Sequence, residues 1–254
     1  MRVRPFVRTI ELKREGVPDF DRYPFCIPAI NGLGSLEFHE KVTFLVGENG
    51  TGKSTLMEAI AVACGFCPEG GGRNFRLETR AIHSDLWRYL HAERGPIAPR
   101  DGYFLRAESF YNVATYLEDL DEGFPFAPHV SDIYGGSLHE CSHGESFFAL
   151  LRNRLGRDGL YLFDEPEAAL SPLRQMAMLT RLHELVKQGC QFIIATHSPI
   201  LLAYPESRIY QLDETGMRSI AYEDPAPYRL TRRFLNDYRR MTEELLADPE
   251  DVGP

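Results

Sequence analysis

The sequence predicts an α/β fold whose core is a mainly parallel β-sheet with helices on its faces. Three apolar runs have the length and composition of buried strands: residues 42–46, 160–164 and 191–196. Segments with helical signals follow the first two runs, over residues 53–64 and 172–188. Strands that alternate with helices are typical of a parallel sheet, and sites in such sheets lie where the strands end.

The bounds of the second helix follow from three residues. Ser171 and Pro172 are typical of an N-cap and a first helical position, and Gly189 of a C-terminal stop. Its apolar positions are Leu173, Met176, Leu179, Leu182 and Val186.

We expect one domain over residues 1–254. Its irregular part is an inserted helical region over approximately residues 66–150, where glycines and prolines predict many loops. Residues 229–254 are predicted to form a C-terminal helix, with apolar side chains at Leu230, Phe234, Leu235, Tyr238, Met241 and Leu245.

Charge and composition exclude several classes of function. The formal net charge of −9 argues against a general binder of polyanions, because phosphate contacts dominate nucleic-acid affinity. The N-terminus is charged, and the sequence has no apolar run of roughly 18–20 residues. We therefore expect no direct membrane insertion. Five scattered cysteines, an odd number, favour a reducing cytoplasm over a disulfide framework.

A glycine-rich segment carries the first sign of chemistry. Residues 47–54, Gly-Glu-Asn-Gly-Thr-Gly-Lys-Ser, fit the P-loop pattern between a predicted strand and a predicted helix. Backbone N–H groups of such a loop surround phosphates, Lys53 reaches the β- and γ-phosphates of ATP, and Ser54 holds Mg²⁺. The expected nucleotide-binding residues are Gly47, Asn49, Gly50, Thr51, Gly52, Lys53, Ser54 and Thr55.

The second predicted strand ends in two acidic residues. Asp164 follows Leu-Tyr-Leu-Phe directly, as in a Walker B motif, and is expected to join Ser54 in holding Mg²⁺. Glu165 comes one residue later, where a carboxylate can polarise the attacking water. We therefore predict Glu165 as a catalytic residue.

These motifs together resemble the ATP-binding-cassette (ABC) ATPases. The resemblance is carried by the P-loop, by Asp-Glu-Pro at residues 164–166, and by Thr-His-Ser at residues 196–198. It implies that His197 contacts the γ-phosphate, and that Lys53, Glu165 and His197 form the catalytic set. It also implies an N-terminal antiparallel β part and a helical signature subdomain.

The resemblance also implies a signature segment before the Walker B strand. Cys-Ser-His-Gly-Glu-Ser at residues 141–146 lies in that place, with Ser142, Gly144 and Glu145 at matching positions and His143 where the family has glycine. Its hydroxyl and N–H groups are expected to bind the γ-phosphate held by a partner subunit.

Two further family elements are less regular. Glu108 stands where the Q-loop has glutamine, and is predicted as a third metal ligand; a surface strand charge is the alternative. Ser171 replaces the usual aspartate of the D-loop. The loops are more similar to the soluble branch that holds SMC-type, RecF-type and overcoming-lysogenization-defect ATPases than to transporter cassettes.

The resemblance implies a soluble ATPase that hydrolyses Mg²⁺-ATP as a head-to-tail homodimer and couples ATP to DNA maintenance or defence. One alternative is the nucleotide-binding subunit of an ABC transporter. The altered signature segment and the lack of a clear aromatic residue for base stacking before the P-loop argue against it; Tyr23 and Phe25 are the candidates for that role. A second alternative is an ATP-dependent switch for a partner effector protein.

For three groups of residues, a functional interpretation is less well supported than a structural one. Cys64 and Cys67, with His139, Cys141 and His143, have spacing compatible with zinc, although buried cysteines explain them better. Arg73, Arg76 and Arg80 can contact nucleotide or DNA, but a solvated basic face is the preferred interpretation. The tail arginines can bind a partner or nucleic acid, and solvated charge is again preferred: Arg232, Arg233, Arg239 and Arg240.

Overall fold

A computed structural model of the chain describes residues 5–72, 84–107 and 143–247. Its strands are β1 (Val7–Leu12), β2 (Ser35–Glu37), β3 (Val42–Gly47), β4 (Gly71–Gly72), β5 (Leu90–Arg94), β6 (Asp101–Arg106), β7 (Gly159–Asp164), β8 (Gln191–Ala195), β9 (Ser207–Asp213) and β10 (Gly216–Ile220). Its α-helices are α1 (Pro28–Asn31), α2 (Lys53–Ala63), α3 (His143–Ala149), α4 (Pro172–Lys187), α5 (Pro199–Leu202), α6 (Ala226–Asn236) and α7 (Tyr238–Leu246).

Seven strands form the central sheet, in the order β10-β9-β3-β8-β7-β6-β4. The five inner strands run parallel, and the two edge strands, β10 and β4, are antiparallel to their neighbours. All residues of β3, β7 and β8 are buried, because helices and the second sheet cover both faces. The predicted α/β fold with a mainly parallel core sheet is confirmed.

The register brings the ends of three strands together. Leu45 of β3 and Asp164 of β7 both pair with Ala195, the last residue of β8. The residues that follow these strands therefore leave the sheet at one edge. The predicted nucleotide-binding and catalytic residues lie at this edge.

A second sheet contains β2, β1 and β5 in antiparallel order, as the resemblance implied for the N-terminal part. The buried side chain of Gln191, at the start of β8, connects it to the central sheet. Gln191 Oε1 accepts hydrogen bonds from the N–H groups of Phe6 and Val7 at 2.9 and 3.0 Å, and its Nε2 donates to Val7 O at 2.9 Å.

Helix α4 agrees with its predicted bounds and differs in its buried face. Ser171 is the N-cap and accepts a hydrogen bond from Arg174 N at 3.4 Å. Leu173 and Met176 are exposed, although they belong to the apolar pattern. The residues that face the core are Met178, Leu182, Leu185 and Val186.

The described part of the region expected as a helical insertion contains the strands β4, β5 and β6. β5 joins the small sheet, and β6 is an inner strand of the central sheet, parallel to β7. The physical reason is burial: the run Gly102–Leu105 is enclosed on both faces, as in an inner parallel strand. Helix α3 runs from His143 to Ala149, and Leu150–Arg154 continues it as a π-helical turn.

The tail forms two helices where the sequence predicted one. Asp237, with φ −139° and ψ 44°, separates α6 from α7. Asn236 and Asp237 favour such a break, because their short polar side chains compete for backbone hydrogen bonds. Neither helix buries a residue, and Leu230, Leu235, Leu245 and Leu246 are exposed.

Within the described ranges, no helix is both long enough and apolar enough to cross a membrane.

Candidate active site

The loop between β3 and α2 has the backbone shape of a phosphate-binding loop. Gly50 and Gly52 adopt positive φ angles of +83° and +92°. A Cβ atom on Gly52 would lie 2.9 Å from Ile27 Cγ2, so both the conformation and the space require glycine there. The loop ends at Lys53, where α2 begins and its N–H groups are directed toward the loop.

Lys53 is buried, and its ammonium group is held inside the loop. Nζ donates to the carbonyl oxygens of Gly47 and Glu48, each at 2.9 Å. Burial lowers the pKa of Lys53, and the nearby carboxylates of Glu165, Asp164 and Glu167 oppose this shift. A partly desolvated cation inside a glycine loop can attract phosphate oxygens strongly.

Ser54 and Asp164 meet at the base of the loop. Ser54 Oγ donates to Asp164 Oδ1 at 3.3 Å, and the carboxylate is 5% exposed. A hydroxyl and a carboxylate are oxygen ligands of the kind that Mg²⁺ takes, together with phosphate oxygens and water. The donor set at this point therefore fits a hard divalent cation.

Glu165 lies beside Asp164 in an uncommon backbone conformation. Its φ of +52° and ψ of 51° are left-handed, and its N–H donates to Ala195 O at 2.9 Å. Such a conformation is rare for a residue with a Cβ and is concentrated at functional sites. It turns the side chain toward His197, whose Nε2 is 3.4 Å from Glu165 Oε1.

His197 follows β8 and is held from its backbone side. His197 N donates to Glu167 Oε1 at 2.5 Å. Ser198, the next residue, caps α5 and donates through Oγ to Gln175 Oε1 of α4 at 2.5 Å. Sequence reasoning missed Glu167 and Gln175, although Glu167 is part of the Asp-Glu-Pro-Glu run that signalled the site.

The catalytic candidates converge, whereas the signature candidate lies elsewhere. Ser54, Asp164 and Glu165 line one cleft of about 300 Å³. Glu145 lines a different cleft with Arg174, to which it pairs at 3.4 Å. Gly144 is within α3, while Ser142 and Glu108 lie outside the described residues. The third predicted metal ligand therefore stays a prediction.

A further cleft of about 530 Å³ adjoins the loop on its other side. Asn49, Gly50 and Thr51 form one wall, and Asp213 and Thr215 form another. This cleft is adjacent to the P-loop, and its size suits a nucleoside. Both aromatic candidates for base stacking precede it in the chain: Phe25 is buried in the core, whereas Tyr23 is 65% exposed and its OH lies 3.1 Å from Thr55 Oγ1.

The weaker candidates remain separate from this site. Cys64 is buried and Cys67 partly exposed, and the described residues include no group of three or more His, Cys, Asp and Glu placed to hold a metal. The structure does not describe the side chains of the other zinc candidates, His139, Cys141 and His143. It also does not describe those of Arg73, Arg76 and Arg80.

Two family models match parts of the chain. The first, described as "AAA domain", covers residues 30–87, which include the P-loop. The second, described as "AAA domain, putative AbiEii toxin, Type IV TA system", covers residues 146–203, which include Asp164, Glu165 and His197.

The curated relatives include a "Putative ABC transporter ATP-binding protein" of Bacillus thuringiensis subsp. konkukian, 28% identical over 163 residues. That match covers 60% of this chain and 29% of the relative, so the chain spans less than a third of its length. The "Cytochrome c biogenesis ATP-binding export protein CcmA" of Legionella pneumophila is 29% identical over 178 residues, 66% of this chain and 84% of the relative.

Among solved structures, the SMC head domain from Thermotoga maritima is 15% identical, with a TM-score of 0.44 over 84% of this chain and 98% of that one. The ADP form of an ATP-binding cassette of an ABC transporter is 18% identical, with a TM-score of 0.46 over 95% and 99%.

Proposed function

We propose that the chain is an ABC-type ATPase that hydrolyses Mg²⁺-ATP at the loop formed by residues 47–55, as the matched family models and ATP-binding relatives support. The observation that carries the proposal is the convergence of five side chains at one sheet edge. Lys53, Ser54 and Asp164 surround the end of the loop, and Glu165 lies within 3.4 Å of His197.

Each side chain has a separate task in phosphoryl transfer. Lys53 and the loop N–H groups bind the β- and γ-phosphates, where negative charge is concentrated. Ser54 and Asp164 would hold Mg²⁺, which neutralises charge on phosphate oxygens when bound. Glu165 polarises the attacking water. His197, whose ring lies beside the Glu165 carboxylate, contacts the γ-phosphate.

We further propose that two copies complete each other's sites. The segment that starts α3 presents Gly144 and Glu145, but Glu145 lines a cleft separate from that of Ser54 and Asp164. One copy therefore does not place both anion-binding elements on one nucleotide. A head-to-tail pair with two ATP molecules between the copies removes this difficulty, since each γ-phosphate then contacts donors from both subunits.

The variant Glu165→Gln tests both parts. It removes the base while keeping the size of the side chain, so turnover falls about 100-fold or more while ATP binding is retained. With ATP and micromolar protein, size-exclusion chromatography with light scattering should show a dimer that the wild type forms only transiently. The control Glu184→Gln changes an exposed carboxylate on α4, paired with Arg181, and should behave as wild type.

Three results separate the parts of the proposal. A Glu165→Gln protein that binds ATP and stays monomeric at micromolar concentration contradicts the dimer. Adding Ser142→Arg should prevent dimer formation while ATP binding persists. Full turnover in Glu165→Gln contradicts the assignment of the base.

For the pathway, we propose that ATP turnover is coupled to DNA maintenance or to defence. The toxin description of the second family model supports defence. The five arginines Arg229, Arg232, Arg233, Arg239 and Arg240, on two exposed helices of an otherwise acidic chain, offer a local surface for nucleic acid. Charge reversal at Arg232 and Arg233 should weaken DNA binding and flatten its salt dependence; an unchanged salt slope removes these residues from the proposal.

The second candidate function is the ATP-binding subunit of a transporter. The names of the curated relatives favour it, since they are ATP-binding proteins of export or ABC transport systems. ATPase activity measured at 100 mM salt with and without DNA distinguishes the two. Stimulation by DNA supports the first function, whereas no stimulation together with co-purification of a membrane protein supports the second.

A further inference from the structure

Arg106 is a charged side chain near the proposed ATPase site to which no role has been assigned above. It is the last residue of β6, and its side chain is 16% exposed. Nη1 donates to Glu58 Oε2 at 3.0 Å and to Pro68 O at 3.2 Å. On its other side, Nε lies 3.9 Å from Asp164 Oδ2.

Arg106 contacts the two elements that supply the candidate metal ligands. Glu58 lies four residues after Ser54 on α2, so both side chains point from the same face of that helix. Arg106 and Asp164 are paired residues of the neighbouring parallel strands β6 and β7. A single guanidinium thus joins the helix that carries Ser54 to the strand that carries Asp164.

Among the described residues, each oxygen of the Asp164 carboxylate faces a partner of its own. Oδ1 accepts from Ser54, and Oδ2 faces Arg106. Two partners on opposite oxygens restrict the rotation of a carboxylate. The planar guanidinium is suited to this task, because its donors are fixed in direction whereas those of lysine are not.

We propose that Arg106 is a positioning residue, which together with Glu58 holds Asp164 and Ser54 in the arrangement that binds Mg²⁺. This inference rests on the proposed Mg²⁺-ATP site. The ion pair with Glu58 offsets part of the charge that Arg106 would otherwise direct at the cation. We therefore expect its effect on Mg²⁺ to be one of orientation rather than of repulsion.

The sign of the effect makes the proposal testable. If Arg106 acted mainly by charge, its removal would strengthen Mg²⁺ binding, since a nearby positive charge is lost. If it orients Asp164, removal weakens Mg²⁺ binding. Partners that hold a metal ligand in place are worth about 10–100-fold in metal affinity.

The experiment compares Arg106→Gln, Arg106→Lys and Glu58→Gln with wild type. Binding of a fluorescent ATP analogue is titrated with Mg²⁺ and, separately, measured in EDTA; Mn²⁺ binding with nucleotide is followed by electron paramagnetic resonance. The matched control is Arg94→Gln, because Arg94 also contacts α2, at Ala63 O at 3.0 Å, from an exposed position. Circular dichroism and thermal melting confirm folding of each variant.

We expect Arg106→Gln to raise the Mg²⁺ concentration for half-saturation about 10-fold or more, with nucleotide affinity in EDTA unchanged. Glu58→Gln should move it in the same direction by less, Arg106→Lys should restore part of the loss, and Arg94→Gln should match wild type. The Mn²⁺ affinity should follow the same order.

Two results overturn the inference. Arg106→Gln with wild-type or tighter Mg²⁺ half-saturation excludes a positioning role, and equal loss of affinity in EDTA shows direct contact with the nucleotide instead. A wild-type protein whose ATP binding does not respond to Mg²⁺ contradicts the proposed function itself, which is a different failure.

Discussion

Ser54 Oγ and Asp164 Oδ1 lie 3.3 Å apart although 110 positions separate the two residues in the chain. The contact connects the first turn of α2 to the end of β7, two strands away from β3 in the sheet. Because the register of β3, β8 and β7 fixes both ends, the pair is formed by the fold itself. The fold alone therefore brings these two side chains of the proposed metal site into contact.

Lys53→Ala should reduce ATP turnover about 100-fold or more, because it removes a buried cation that donates to the loop carbonyls and lies near the carboxylates of Glu165 and Asp164. ATP binding by isothermal titration calorimetry should be weakened as well. The control is Lys41→Ala, which removes a lysine paired with Glu206 before β3, at the opposite end of that strand. Turnover that survives Lys53→Ala would exclude this loop as the active site.

Glu167→Ala should lower kcat about 10–100-fold, since a hydrogen bond to a charged acceptor contributes about 1.5–3 kcal/mol. The bond in question runs from His197 N to Glu167 Oε1 and holds the loop that carries the imidazole. Glu167→Gln keeps an acceptor oxygen and should lose less. Steady-state kinetics should show little change in KM for ATP, and wild-type kcat in Glu167→Ala would mean that the loop is held by other contacts.

The local motifs were predictable from sequence, and the contacts that support them were not. The P-loop and Asp164-Glu165 each occupy one short segment, and the pattern of that segment predicts both the preceding strand and the function of its residues. Glu167 contacts His197, which is 30 positions away in the sequence. Arg106 pairs with Asp164, which is 58 positions away. Only the order of the strands in the sheet brings these residues together. The break at Asp237 escaped prediction because the apolar pattern continues across it.

Asp101→Asn should destabilise the fold by about 2 kcal/mol at pH 7, because Asp101 accepts hydrogen bonds from Arg154, Tyr161 and Gly156 at 2.8 to 3.0 Å. Burial by itself would raise the pKa of Asp101, but the Arg154 hydrogen bond and charge and the other donors outweigh it, so the pKa is lowered. A carboxyl with a lowered folded-state pKa stabilises the fold above its ordinary value near 3.9, and that stability is lost as the pH falls below it.

Urea unfolding at pH 7, 5 and 3 checks this linkage. The wild type should lose stability between pH 5 and 3 more steeply than Asp101→Asn, and the gap between the two should narrow at the lower pH. Asp158→Asn is the control, because Asp158 forms an exposed pair with Arg100 at 3.8 Å that contributes little. A gap that does not depend on pH would show that Asp101 acts by packing and not by charge.

Cys190 should resist thiol reagents in the folded protein, whereas Cys26 should react. Cys26 is exposed, while Cys190 is buried at the start of the loop into β8 and donates through Sγ to Gly156 O at 3.2 Å. Burial raises the pKa of Cys190 to about 11. Because the thiolate is the reactive form, only ~0.1% of such a thiol would be reactive at pH 8 even if reagent could reach it.

Two single-cysteine variants, retaining Cys26 or Cys190 and carrying serine at the other four positions, measure this difference with a maleimide at pH 8. The Cys26 protein should label at least about 100-fold faster, and the Cys190 protein should reach the same rate only in denaturant, where burial is lost. Addition of Mg²⁺-ATP should leave the Cys190 rate low, because Gly156 and the core lie away from the P-loop. Fast labelling of Cys190 in the folded protein would mean that the end of the sheet around Gly156 and Asp101 opens readily, and would contradict the stabilising role given to that cluster.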